Sequence, residues 1–217
     1  MISNIIIKGE RCSGTNYLQL LISANSDFKT CGQHLALTHD EEVEALWKHG
    51  MYDDTHAPLN NGNSLFLVIH RNLHDWLRSL YLQPWHLPER DSFYEFLTSS
   101  VCCDECGYYY SAMTEYVNGE RYCGDIIGLR YIKLQNWMVN LKNYLLIDYD
   151  ELLLRPGMIM DILRAYGVPV HDGFINWQRY KDSPDDYIKK EYGPMSAAEL
   201  LYINSKTNVD FEKMLRP

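Results

Sequence analysis

"NIIIKGERCSGTNYLQLLI" (residues 4–22) reads as an apolar run, a small polar loop and a helix with an apolar stripe. Its periodicity predicts a strand from Asn4 to Lys8 and a helix from about Gly14 to Ala24. In an α/β sheet, the turn at the carboxyl end of the first strand opens onto the ligand crevice. Unpaired backbone N–H groups and the helix dipole make a helix start at that place an anion site. Four residues separate Gly9 from Gly14, as in the phosphate loop G-x-x-x-x-G-K-[ST]. Here Gly14 is followed by Thr15 and Asn16, so the lysine that reaches the outer phosphates of a nucleoside triphosphate is absent. The plainer alternative is that Ser13 caps the helix and Gly14 fills a tight turn.

Outward from this stretch the chain alternates strands and helices. "FKTCG" (28–32) is expected as a short second strand. Residues 40–50, "DEEVEALWKHG", read either as a helix with an acidic start or as a strand at "EALWKHG". "SLFLVIH" (Ser64 to His70) is a continuous apolar run, as for a strand covered on both faces. A helix from Leu73 to Leu82 follows, stopped near Pro84. Residues 91–99 read as helical, and 100–125 as irregular, with a hairpin turn at Asn118-Gly119. A helix from about Ile127 to Leu141 leads to a strand from Tyr144 to Tyr149. "MIMDILRAYG" is an amphipathic helix closed by Gly167, and a last helix begins near Ser196. This order predicts an α/β fold, a single domain over 1–217 with a central parallel sheet flanked by helices, P-loop-like in its first turn.

The chain carries 20 Lys+Arg against 29 Asp+Glu, a net charge of −9. That balance, with no basic stripe, argues against a nucleic-acid partner. An anionic ligand must find its charge locally, from Lys8, Arg11, Arg71 and Arg78. No apolar run is long enough to span a membrane, and the N-terminus lacks a signal-peptide pattern. A cytoplasmic protein without a membrane partner is the expectation. Of the six cysteines, Cys102, Cys103, Cys106 and Cys123 cluster. "CCDEC" has C-x-x-C spacing but lacks the second pair that a zinc site needs, so reduced thiols and no metal are expected.

"VIHRNLHDWLRSLY" supplies a second anion motif. Arg71 comes directly off a strand end and Ser79 lies on the following helix; Arg grips phosphate with two parallel hydrogen bonds and Ser adds a third. Two such grips at two strand ends suit a nucleotide phosphorylated on both sides of its ribose. In the plainer reading, Arg71 caps a surface and Ser79 is an ordinary helix residue.

Taken together, these residues resemble the sulfotransferases that use 3′-phosphoadenosine 5′-phosphosulfate (PAPS). "SGTNYL" (Ser13 to Leu18) is similar to that family's 5′-phosphosulfate loop, K-S-G-T-T-W-L. "RNLHDWLRS" (Arg71 to Ser79) matches its 3′-phosphate motif R-N-x-x-D-x-x-x-S at every fixed position. "YLLIDYDELLLRPGMIMDILRAYGV" (Tyr144 to Val168) resembles its later strand and helix. The resemblance implies a sulfotransferase-type fold, with PAPS as donor and the bisphosphate PAP as product. It places Ser13, Gly14, Thr15 and Asn16 on the 5′ end, Tyr17 at the adenine-stacking position, and Arg71 with Ser79 on the 3′-phosphate. Two departures stand out. Cys12 fills the loop-lysine position, leaving Arg11 or Lys8 to supply charge to the leaving phosphate. The late R-K-G element has only "KKEYG" (189–193) as a counterpart.

Sulfuryl transfer needs an acceptor in line with the leaving phosphate, a base for its proton, and fixed positive charge. Histidine suits the base role near neutral pH. His49, with Lys48 before it, resembles the family's K-x-H strand end and is the first choice; His56, in "THAPL", is the second. His34, His39 and His86 are further candidates for the site's neighbourhood. The Tyr-rich segment 107–116 reads either as an acceptor lid or as an ordinary hairpin. The acidic charge favours a neutral carbohydrate or another small hydroxyl (or amine) compound as acceptor. Two other functions compete: a P-loop-type small-molecule kinase, and an inactive nucleotide- or partner-binding relative of the sulfotransferases.

Overall fold

The computed structural model describes residues 2–27, 30–31, 48–53, 57–84, 87–101, 116–117, 120–176 and 189–216. The chain is mixed α/β, built on a small parallel sheet flanked by helices. The elements are β1 (Asn4–Gly9), α1 (Thr15–Asn25), β2 (Thr30–Cys31), β3 (Ser64–His70), α2 (Leu73–Leu82), α3 (Phe93–Thr98), β4 (Tyr116–Val117) and β5 (Glu120–Arg121). They continue with α4 (Ile126–Asn140), β6 (Tyr144–Asp148), α5 (Tyr149–Leu154), α6 (Met158–Ala165), α7 (Ala197–Lys206) and α8 (Val209–Leu215). The chain divides into two compact units. One comprises Met1–Asn72 and Asn136–Lys190, the other Leu73–Gln135 and Glu191–Pro217.

The first unit holds the sheet, in the order β2-β1-β3-β6. β1 pairs with β3 from Asn4↔Ser64 to Gly9↔Ile69, and β3 pairs with β6 from Phe66↔Tyr144 to His70↔Asp148. The two-residue β2 extends the other edge of β1. All pairs are parallel, and β3 is buried at every position, which is why it reads as an unbroken apolar run. One core gathers Ile5, Ile7, Leu65, Leu67 and Ile69 of the sheet with Leu18, Leu21 and Ile22 of α1 and Ile159, Met160 and Leu163 of α6. The spacing of the α1 and α6 residues puts them on one helical stripe each.

Polar side chains tie the loops to this core. Asn60 donates to Asn140 O at 2.8 Å and accepts from Lys142 N at 2.9 Å, joining the loop before β3 to the turn before β6. Asn25 does the same for the segment after α6, donating to Ile175 O at 2.7 Å and accepting from Ile175 N at 2.6 Å.

The second unit contains the β4–β5 hairpin, antiparallel as the Asn118-Gly119 signal predicts, with those two turn residues outside the described set. Arg78 belongs to its packing: it lies over the Phe93 ring at 4.1 Å, donates to Pro194 O at 3.1 Å and sits 3.6 Å from Glu199. Arg130 reaches Glu212 at 3.3 Å and lies 5.2 Å over Trp76. Asp125 accepts from Gly128 N at 2.8 Å near the start of α4 and takes Lys206 at 3.0 Å.

Most boundaries follow the sequence pattern, with two differences. The segment after β6 forms the short helix α5, because Asp148 caps it by accepting from Asp150 N and Glu151 N. The final helix is two helices, because Thr207 ends α7 and the Asn208 side chain caps α8 by accepting from Phe211 N. Among the described residues no helix is long and apolar enough to cross a membrane.

Two phenols in the second unit predict an alkaline limit. Tyr122 and Tyr131 are each pushed up to about 12, first by burial, then by Asp125 and Glu212 respectively. Folding favours the neutral phenol, so this stabilisation is complete below pH 10 and is lost as pH rises toward 12. Urea midpoints measured from pH 9 to pH 12 should therefore fall, and less steeply in Tyr131→Phe. A flat profile would contradict the assignment.

Candidate functional site

β1 lies between β2 and β3. The connection leaving β1 runs to β2 on one side and the one leaving β3 runs toward β6 on the other. The carboxyl ends of β1 and β3 therefore form a topological switch point, the usual ligand crevice of an open parallel sheet. Loop 10–14 follows β1 and Arg71 follows β3, so the first anion loop and the arginine of the second motif meet at this place.

The loop is shaped by its glycines. A Cβ at Gly9 would lie 2.6 Å from Ile69 O and 2.8 Å from Ser13 Oγ, so only glycine lets the strand end and the loop approach β3. Gly14 has φ +95°, and a Cβ there would meet Tyr149 Cε2 at 2.6 Å. Cys12 also takes a left-handed backbone, φ 61°, and is half-buried and outside any disulfide. Ser13 is fully buried and its hydroxyl donates to Glu10 O at 2.5 Å. Ser13 is therefore not the helix cap. Gly14 holds that position, and among the described residues no side-chain cap hydrogen bond is made to α1. An eleven-residue helix without a side-chain cap directs its first backbone N–H groups and its positive dipole end at the crevice.

Lys48 and His49 are held against this loop. Gly9 N donates to Lys48 O at 3.0 Å, and His49 Nδ1 lies 2.6 Å from Gly9 O. A carbonyl can only accept, so Nδ1 carries the proton, and neutral His49 has its lone pair on Nε2. The Lys48 ammonium donates to Asn16 Oδ1. Behind the pair, Trp137 Nε1 donates to Gly50 O at 2.9 Å, and Tyr52 N donates to Asn136 Oδ1 at 2.6 Å. The segment 48–52 is thus fixed on both sides.

Arg71, 2% exposed, points Nη1 at Cys12 O, 3.4 Å away, and stacks over the Tyr149 ring at 4.9 Å. Tyr149 consequently touches both the loop glycine and the arginine. This role depends on a tertiary contact and is not visible in the sequence. Lys8 is fully buried within β1, and Arg11 is 9% exposed. Burial pushes the Arg11 guanidinium down from its usual range, partly offset by Cys12 and Glu10. Thr15 is buried at the first helical position. Tyr17 is half-buried and packs against the core, with its hydroxyl donating to Asn176 Oδ1 at 3.3 Å; burial raises its pKa.

The described structure thus brings Gly14, Thr15, Asn16, Cys12, Ser13, Arg71, Lys48 and His49 together around one loop. Ser79 lies partly exposed on α2, in the second unit. His56, His34, His39 and His86 lie outside the described residues, as do Cys102, Cys103, Cys106 and most of the Tyr-rich segment. Cys123 is disulfide-bonded rather than a free thiol. Among the described residues no group of three His, Cys, Asp or Glu side chains is placed to hold a metal. Lys189 of the "KKEYG" element pairs with Asp150 at 2.7 Å. Compared with known proteins, the chain matches no family model and has no significant match among curated sequences.

Gly14→Ala should cost ~3 kcal/mol, combining a strained left-handed backbone with displacement of Tyr149. Gly157→Ala, where nothing lies within 4 Å of a built Cβ, should change stability by no more than ~0.5 kcal/mol. Urea denaturation of the two variants checks the contrast; equal effects would contradict the loop geometry.

Proposed function

We propose that the chain is a PAPS-dependent sulfotransferase, transferring the sulfuryl group to a hydroxyl (or amine) of a small-molecule or carbohydrate acceptor. The observation that carries this reading is the meeting of the two motifs: Arg71, 59 residues from Cys12 in sequence, reaches the loop that ends at the uncapped start of α1. Both motifs resemble the phosphate grips of that family, and loop 10–14 and Arg71 both stand at the switch point of a parallel sheet.

In this reading the backbone N–H groups at the start of α1 hold the 5′-phosphosulfate end. Arg71 recognises the 3′-phosphate. Lys48 and Arg11 supply positive charge where the bridging oxygen becomes negative. His49 Nε2 accepts the proton of the acceptor group as the acceptor oxygen bonds to sulfur, and the bond from sulfur to the phosphate oxygen breaks to release PAP. The hydrogen bond to Gly9 O supports this role, because it fixes the tautomer a base requires. An imidazolium, equally able to donate to Gly9 O, would no longer accept a proton, so turnover should fall at acidic pH.

Calorimetric titration with PAP, with ADP and AMP as controls, tests the nucleotide assignment. PAP should bind in preference to ADP, and Arg71→Ala should weaken PAP about 10–100-fold. His49→Ala should retain PAP binding and lose transfer about 100-fold or more once an acceptor is found. Equal affinity for ADP and PAP would instead favour a kinase. Unchanged transfer in His49→Ala would remove its assignment as base.

A further inference from the structure

The Lys48–Asn16 bond is not used by the direct phosphate-binding role expected of Asn16. We infer that Asn16 is a positioning residue: its side-chain carbonyl holds the Lys48 ammonium at the start of α1 and so braces the Lys48–His49 pair against the anion loop. This deepens the reading of the same site given above and rests on it.

Three observations support the assignment. Asn16 is the second residue of α1, and its Oδ1 accepts from Lys48 Nζ across 32 residues of sequence. A carbonyl oxygen repels an anion, so an Oδ1 committed to an ammonium acts on a bound phosphate through that ammonium. Lys48 also accepts from Gly9 N through its own carbonyl, at 3.0 Å. One lysine therefore spans the loop, with its backbone on the residue before it and its side chain on the helix after it. Finally, Lys48 is 9% exposed and is followed directly by His49, whose Nδ1 meets Gly9 O. A free lysine side chain has about 2 kcal/mol of rotamer entropy to lose on being ordered. Holding Lys48 in place before an anion arrives removes much of that cost from binding and keeps the adjacent imidazole in register.

The test combines a ligand-free signal with a double-mutant cycle. Lysine-selective ¹⁵N ammonium spectra of the whole protein, assigned with Lys48→Arg, should show a Lys48 resonance that exchanges slowly. That resonance should vanish in Asn16→Ala and return in Asn16→Asp, which keeps the acceptor oxygen and shows that the fold survives substitution. For PAP binding, Lys48→Ala should weaken affinity ~10-fold, and adding Asn16→Ala should cause no further loss beyond about twofold. Persistence of the resonance in Asn16→Ala, or losses that multiply in the double variant, would overturn the inference. If the unaltered protein does not bind PAP, the nucleotide reading falls, and the ammonium resonance alone still decides the role of Asn16.

Discussion

The end of the first strand cannot carry a side chain, and the rest of the site depends on that. Ile69 O and Ser13 Oγ occupy the space a Cβ at Gly9 would need. β1 and β3 can therefore end side by side, with the loop folded back over them. The bare backbone of Gly9 then becomes the anchor for a distant segment, donating to Lys48 O and accepting from His49 Nδ1. A larger residue here would move the loop, the lysine and the imidazole together. The second glycine of the loop acts similarly, since Gly14 gives the helix its left-handed entry and leaves room for Tyr149, which in turn supports Arg71.

The electrostatics are local. The chain as a whole is acidic, yet Lys8, Arg11, Lys48 and Arg71 are all buried in the first unit, with Glu10 buried beside Arg11. Burying cations is unfavourable unless negative charge compensates them, and the depressed Arg11 pKa reflects that penalty. An anionic group at the start of α1 would offset part of it and gain the helix dipole as well. Carboxyl ends of parallel strands, an uncapped helix and buried positive charge all favour the same kind of ligand. An anion at this place would meet local positive charge within a chain that is acidic as a whole.

Where one physical signal dominated, the fold was legible in the sequence. β3 and α2 match their expected bounds because a continuous apolar run is followed by a helical stripe stopped near Pro84. The loop after β1 was legible from its two glycines. The helix α5 escaped, although Asp148 followed three residues later by Glu151 is a cap-like signal; the strand pattern before it obscured the change of period. The candidate site was legible only residue by residue. Arg71, Lys48 and His49 stood out for their chemistry. Tyr149 and the Asn16–Lys48 bond did not, because their roles arise from contacts between residues far apart in the chain. Ser13 showed the reverse: its plainer reading, a helix cap, fails because a hydrogen bond to Glu10 O within the loop takes its hydroxyl.

The central claim is that the crevice between β1 and β3 holds a nucleotide phosphorylated at both ends of its ribose. A crystal structure of the protein soaked with PAP tests it most directly. The 5′-phosphate should lie on the backbone N–H groups of Gly14, Thr15 and Asn16, and the 3′-phosphate should be bonded by the Arg71 guanidinium. A nucleotide bound elsewhere, or one whose 3′-phosphate faces away from Arg71, would contradict it.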